Sequence, residues 1–458
     1  MTQHSLTALQ ADAGAHLMHP FVDNAALKKK GPRIMSRAEG VYIWDEHDNR
    51  YLDAFAGLWC VNLGYGRQEL VEAASSQMSK LPYYNLFFNT SNEPAIALAK
   101  TLSELTPPHI NHAFFCGSGS EANDTVFRMV RRYWDLRKQP AKKIFIGRKN
   151  GYHGSTVAGA SLGGMGYMHK QGDLPIAGID HINQPYWFAE GGELSLEEFG
   201  RQRAAELEQK ILELGADNVA AFIAEPIQGA GGIIIPPDSY WPEIQRIVKQ
   251  YNVLLVADEV ICGFGRTGNW FGSTTLGITP DIMSVAKGLS SGYLPIGGVL
   301  LADSIAETLT GDGSGEFNHG YTYSGHPVCA AVALENLRIL REEHVVETIQ
   351  ETTGPHLAKQ LETLADHPLV GEVRGVGMLG AFELVSEPGS RNRFDDKGTA
   401  GTVCRDCALE NGLILRATGD TMLLSPPLTI SCEQIDEVVA KARVALDEAD
   451  KKLRSHFQ

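Results

Sequence analysis

At 458 residues, 43% apolar and 21% charged, the chain has the make-up of an ordinary globular protein with room for two or three domains. Its 40 Lys and Arg stand against 55 Asp and Glu, a formal charge of −15, which argues against nucleic acid or an anionic membrane surface as the main partner, since both select basic patches. No apolar run approaches the ~20 residues of a membrane span. The N-terminal stretch MTQHSLTALQADAGAHLMHP lacks a basic region followed by an apolar one, and the seven cysteines are odd in number and scattered. Both features point to reduced thiols and a cytoplasmic location.

In chain order, the first recognisable unit is a hairpin. In GVYIWDEHDNRYLDAFAG two alternating runs flank the turn-forming pair Asp48 and Asn49. From about Pro107 to Gly325 short apolar runs alternate with helical stretches. The strands expected there are HAFFC at His112, KKIFIG at Lys142, VAAFIAE at Val219, VLLVADE at Val253, IMSVAK at Ile282 and GGVLLAD at Gly297. Amphipathic helices such as EEFGRQRAAELEQKILELG lie between several of them. This alternation predicts an α/β unit: a mainly parallel sheet covered on both faces, with ligands at the carboxyl ends of its strands. A long helix follows Pro327. Beyond about Pro355, VRGVGMLGAFELV and GLILRATGDTMLLSPPLTI read as strands and CEQIDEVVAKARVALDEADKKLRSHF as a closing helix. The expected organisation is an N-terminal segment with helix and hairpin over residues 1–60, a large α/β domain over 61–330 and a small α+β domain over 331–458. The N-terminal segment is expected to pack on the small domain.

Several of these strands stop at a polar group. In FFCGSGSEANDTVFRMVRRYW, Ser118, Gly119 and Ser120 form a loop opening into a helix near Glu121. Its N–H groups, hydroxyls and helix dipole suit a phosphate. The stretch lacks the lysine of a P-loop, and taken alone it is an ordinary strand–helix connection. Glu225 ends the strand in AFIAEPIQGAGG, Asp258 ends VLLVADE, and Lys287 ends IMSVAK and is followed by a Gly/Ser-rich stretch. Tyr152 stands in the glycine-rich NGYHGSTVAG. Alone, Asp258 is an N-cap or loop carboxylate, and Lys287 a snorkelling side chain. Together at one sheet edge they supply a phosphate cradle, an aromatic plate, a carboxylate for a pyridinium and an amine for an aldehyde. Those are the groups that pyridoxal phosphate requires. Cys404 and Cys407 form a CRDC pair, but with no second pair and no histidine cluster it reads as helix packing, and no metal site is expected.

The segments MVRRYWDL, NGYHGSTVAGASLGGM, AFIAEPIQGAGGIIIPP, VADEVICGFGRTGNWFG, AKGLSSGYLPIGG, FNHGYTYSGHPVCAA and ENGLILRATGDTMLLSPPL run in family order over nearly the whole chain. In them the sequence resembles the class III aminotransferases of fold type I, most closely the ω-amino acid/amine–pyruvate and putrescine–pyruvate branch. The resemblance implies a large domain built on a seven-stranded, mainly parallel sheet, with a smaller α+β domain from both chain ends. It also implies a pyridoxal phosphate enzyme that moves the terminal amino group of an amine, diamine or ω-amino acid to pyruvate, giving an aldehyde or ketone and L-alanine. Aminomutase or decarboxylase chemistry on the same cofactor, and a non-catalytic cofactor-binding protein, are the alternatives.

By the same resemblance Lys287 would hold the cofactor and carry the proton, and Asp258 would pair with the ring nitrogen. Tyr152 and Val260 would flank the ring, and Ser118, Gly119 and Ser120 would take the phosphate. Thr322 and Phe87 or Phe88 would serve the neighbouring subunit of a homodimer, or of a tetramer built from it. Arg416 would bind the keto acid's carboxylate, with Glu225 as its resting partner or near the cofactor's hydroxyl. Trp59 and Tyr152 would wall the amine pocket. The resemblance leaves open which donor is physiological: putrescine, a longer diamine, spermidine, β-alanine or 4-aminobutyrate.

Overall fold

The apolar runs between residues 110 and 302 assemble into one seven-stranded sheet in a computed structural model that describes residues 7–456. Residues 1–6, the start of the N-terminal stretch read above, and 457–458, the end of the closing helix, lie outside the described residues. The sheet order is Ile110–Cys116, Gly297–Ala302, Ile282–Val285, Leu254–Asp258, Val219–Ala224, Ile144–Arg148 and Ile179–Ile182. Neighbours are parallel except around Gly297–Ala302, which runs antiparallel to both of its neighbours. The four inner strands from Gly297–Ala302 to Val219–Ala224 are buried at every position, as a sheet covered on both faces requires. Helix Gly119–Leu136 covers one of these faces with Ala122, Val126, Met129 and Val130, all buried.

Two details depart from the expected elements. The edge strand Ile179–Ile182 is an addition: its four residues, IDHI, carry no apolar run. The strand expected from Lys142 begins instead at Ile144. Lys142 is only 3% exposed, and its ammonium donates to the carbonyls of Ala216, Val219, Tyr251 and Asn252 at 2.8–3.3 Å, tying three connections together below the sheet. Four carbonyl oxygens around one ammonium make that burial tolerable.

The hairpin forms as a three-stranded antiparallel unit, Met35–Glu39, Tyr42–Asp45 and Arg50–Asp53. Its turn is fixed by Asp45, which accepts from the backbone N–H of His47 and Asn49 at 2.9 and 3.0 Å. Leu413–Ile414 adds to Arg50–Asp53 in parallel, so the two ends of the chain share a sheet. A separate antiparallel sheet holds Val370–Val376, Leu379–Leu384, Thr421–Leu424 and Arg416–Thr418 in that order. The closing helix Cys432–His456 packs on helix Thr399–Glu410, where Cys404 and Cys407 are both fully buried free thiols. Two arginines lock this part to the large sheet's loops. Buried Arg266 donates to Pro426 O and, at 2.9 Å, to Asn62 Oδ1, and Arg374 donates to the carbonyls of Gly232 and Ile233 at 2.6 and 2.9 Å.

Candidate active site

At the carboxyl edge of the sheet lies a cavity of about 390 Å³ whose lining includes Ser118, Gly119, Ser120, Tyr152, Glu225, Asp258, Val260 and Lys287. The chain reaches it first through the turn after Ile110–Cys116. Ser118 is the N-cap of the helix, its hydroxyl accepting from Glu121 N at 3.2 Å, so the helix begins at Gly119 and not near Glu121. The positive end of an 18-residue helix therefore points at the cavity. Close backbone approach follows from two glycines. A Cβ on Gly119 would lie 3.0 Å from Val260 Cγ2, and one on Gly154, whose φ is +128°, would lie 2.6 Å from Ser120 Oγ. Ser120 Oγ in turn accepts from Ser155 N at 3.1 Å.

Asp258, 3% exposed, is held from three sides. Its Oδ2 accepts from Asn123 Nδ2 at 2.8 Å and faces His153 Nδ1 at 2.7 Å, and Oδ1 accepts from Val260 N at 3.1 Å. With Nδ1–H as the donor, His153 Nε2 is left buried without a partner, as is Asn123 Oδ1; both residues line the cavity. A buried carboxylate at a cavity wall calls for a cation there, and a protonated ring nitrogen is such a group. Glu259 next to it points elsewhere, accepting from Gly272 N at 2.9 Å and Ser273 N at 2.6 Å as a cap for that turn.

Lys287 follows the strand Ile282–Val285 with a φ of +45°, unusual for a residue with a side chain. Its Nζ lies 5.2 Å from the centroid of the Trp59 ring. Burial pushes the ammonium below the ordinary lysine range. Trp59 is itself buried; its neighbours Leu58 and Cys60 form the adjoining wall.

Of the two places expected for Glu225, the pairing with Arg416 does not form among the described residues, while Glu225 does line the cavity. Glu225 is 2% exposed, and its two oxygens accept from the backbone N–H of Tyr152 at 3.1 Å and Gly229 at 2.8 Å. With those two donors Glu225 needs no arginine. The Arg416 guanidinium lies instead over aromatic faces, 5.0 Å from the Trp59 centroid and 5.8 Å from that of Phe55, and forms no ion pair among the described residues. Burial pushes its pKa down. Phe87, Phe88 and Thr322 do not line the cavity of their own chain. They lie together on the exposed surface, with Phe88 90% exposed and Thr322 O accepting from Tyr83 Oη–H at 2.7 Å.

Sequence reasoning missed Asn123, His153, Cys60 and Phe21 at this site. Asn123 stands one helical turn after Gly119 on the same face, and His153 adjoins Tyr152, so both carried a signal. Phe21, whose ring meets that of Tyr152 edge-on at 6.4 Å, comes from an irregular stretch near the N-terminus and carried none. Together these residues fit pyridoxal phosphate: a helix N-terminus with closely approaching glycines, a buried carboxylate, orphaned polar atoms on the wall and a desolvated amine.

Comparison with known proteins agrees with this chemistry. The model of the class-III aminotransferase family matches residues 25–446. The putrescine–pyruvate aminotransferase of Pseudomonas aeruginosa is 61% identical over 439 residues, 96% of each chain. The diaminobutyrate–2-oxoglutarate transaminase of Halomonas elongata is 44% identical over 91% of this chain and 90% of its own. Among solved structures, the omega transaminase from Pseudomonas jessenii in complex with PMP superposes with a TM-score of 0.94 at 44% identity, over 97% of this chain and 99% of that one. The chain belongs to the class-III aminotransferases, enzymes that work with pyridoxal phosphate.

Proposed function

We propose that the protein moves the terminal amino group of an amine to pyruvate, with a diamine of the putrescine type as donor, giving an aminoaldehyde and L-alanine. The observation that carries this reading is the state of Arg416. A half-buried guanidinium without a carboxylate partner is incompletely satisfied, and an arriving keto-acid carboxylate completes it with charge-assisted hydrogen bonds. The faces of Trp59 and Phe55 that now hold the guanidinium suit the alkyl chain and distal ammonium of a diamine equally well. One pocket thus offers a cation's seat to the donor and an anion's partner to the acceptor.

Ser118, Gly119 and Ser120 would hold the phosphate of pyridoxal phosphate, Tyr152 and Val260 its ring, and Asp258 its ring nitrogen. When bound, the cofactor supplies an electron sink for charge left on the substrate carbon. Lys287 Nζ, whose charged form burial disfavours, takes the proton from the carbon that bears the donor nitrogen and later returns one. Asn123 and His153 fix the carboxylate of Asp258, Leu58 and Tyr152 wall the cavity, and the Trp59 ring behind that wall shields the Lys287 amine from water.

On this reading the enzyme is a cytoplasmic homodimer, and its chain divides near residues 60 and 330. The exposed group of Tyr83, Tyr84, Phe87, Phe88 and Tyr323 supports an interface, because large apolar patches on a single chain mark contact surfaces. Phe87, Phe88 and Thr322 would then complete the neighbouring subunit's site. The test is alanine formation from pyruvate with putrescine, cadaverine, spermidine, β-alanine and 4-aminobutyrate as donors. Highest kcat/KM for putrescine is expected. Inert diamines beside an active ω-amino acid would overturn the donor, and no alanine from any donor would overturn the acceptor.

A further inference from the structure

The turn after Lys287 holds two residues with side chains in the left-handed region, Lys287 at φ +45° and Ser291 at φ +49°. Such backbone is strained and persists only where the surroundings over-determine it. Besides the turn's own backbone hydrogen bonds, one buried side chain gathers it from outside. Asn336, fully buried on helix Pro327–Glu342, donates through Nδ2 to the carbonyls of Gly288 at 2.9 Å and Leu289 at 3.0 Å, the first two after Lys287. Its Oδ1 accepts from the Ser291 hydroxyl at 2.5 Å, and Ser291 Oγ itself accepts from Leu63 N at 3.1 Å. Every polar valence of Asn336 described in the structure is thus spent on residues 288–291. On the opposite side Asn62 blocks retreat: a Cβ on Gly288 would lie 2.4 Å from Asn62 Nδ2. Asn62 is fixed by Arg266 Nη2 at 2.9 Å and by its own donation to Phe264 O at 3.0 Å.

We propose that Asn336, locked by Ser291, is the positioning residue for Lys287: it holds the turn in the left-handed conformation that aims Nζ over Trp59 and keeps the amine out of water. The proposal rests on the reading of Lys287 as the reactive amine. Asn336 does not line the cavity. Released from Asn336, Lys287 relaxes toward negative φ, the Cα–Cβ direction swings, and Nζ leaves its place against the indole. Its proton affinity and its alignment with the substrate carbon then change together. A buried asparagine that merely satisfied the helix's surroundings would affect melting and nothing at the amine.

The experiment uses the enzyme loaded with pyridoxal phosphate and the variants Asn336→Leu and Ser291→Ala. Three quantities are measured: the thermal midpoint, kcat and KM for donor and pyruvate, and the pH titration of the visible absorption band. Asn336→Leu is expected to lose roughly ten- to hundredfold in kcat, the cost of a misaligned group, with KM little changed. Its band should titrate at a displaced pH. Ser291→Ala, which removes one hydroxyl, should move both quantities in the same direction by less. Unaltered kcat and band titration in both variants, whatever the melting, would overturn the proposal. If Asn336→Leu does not fold, Ser291→Ala decides by the same criteria. Lys287→Ala, run in parallel, should lose the band; a retained band there would sink the reading of Lys287 itself and is distinct from failure of the Asn336 variants.

Discussion

Replacing Arg416 by alanine separates the two halves of the reaction. In the free enzyme the guanidinium rests over Trp59 and Phe55 with no acidic partner, so its removal breaks no ion pair among the described residues. A keto-acid carboxylate that docks on it forms charge-assisted hydrogen bonds worth about 1.5–3 kcal/mol. Their loss corresponds to roughly a ten- to hundredfold fall in kcat/KM for pyruvate. The donor half-reaction should behave differently. Putrescine brings no carboxylate, and its distal ammonium competes for the ring faces that Arg416 covers. A cation on such a face gains about 0.5–2 kcal/mol. The variant's kcat/KM for putrescine is therefore expected to hold or rise. Stopped-flow spectra of each half-reaction, wild type against variant, measure both numbers, and an aldehyde acceptor without a carboxylate should be spared. Equal losses for putrescine and pyruvate would refute the reasoning and make Arg416 a structural residue.

Burial lowers the pKa of Lys287, so in the cofactor-free enzyme the neutral amine should accumulate at lower pH than in free lysine, about 10.4. Its reaction with a carbonyl reagent, followed by peptide mapping across pH, should level off below that value; a midpoint at or above it contradicts the assignment. Asp258→Asn presents an amide to the donors His153 and Val260 N and removes the buried counter-charge, so turnover should fall on the order of a hundredfold. Single-turnover proton abstraction at near-normal rate would rule that role out. Gly119→Ala places a methyl 3.0 Å from Val260 Cγ2. Its cofactor affinity should weaken by about 1–3 kcal/mol, measured by equilibrium dialysis, because overpacking displaces a wall of the cavity. Phe88→Asp, at a position 90% exposed in the single chain, should shift the proposed homodimer toward monomers in sedimentation while leaving the fold's circular dichroism unchanged. An unaltered dimer would place the interface elsewhere.

The inner strands were legible because burial on both faces forces a continuous apolar run, and Val219–Ala224 or Leu254–Asp258 can hardly be read otherwise. The edge strand Ile179–Ile182 was not, since an edge pairs on one side only and IDHI needs no apolar pattern to do so. The same logic governs the site. Ser118, Glu225, Asp258 and Lys287 stood out because each polar group interrupts or ends a buried run. Asn123 and His153 carried a sequence signal, the helical spacing from Gly119 and the place beside Tyr152, that went unread, whereas Phe21 became visible only once a distant stretch came to lie near Tyr152. The resting place of Arg416 depends on the tilt of two aromatic rings, and nothing in a linear pattern encodes it.

The reversed strand Gly297–Ala302 has a consequence for how a ligand enters. Between Val285 and Gly297 the chain doubles back through residues 286–296 instead of crossing over by a helix, and the turn after Lys287 within that connection is buried and pinned by Asn336. Beside that connection, with a Cβ on Gly119 lying 3.6 Å from Ala286 Cβ, the turn after Cys116 runs straight into an 18-residue helix. The field across the cavity is therefore lopsided, with partial positive charge concentrated at one wall. A molecule that carries an anion at one tip is favoured with that tip toward the helix end, and the carboxylate of Asp258, also in the lining, repels the reverse placement.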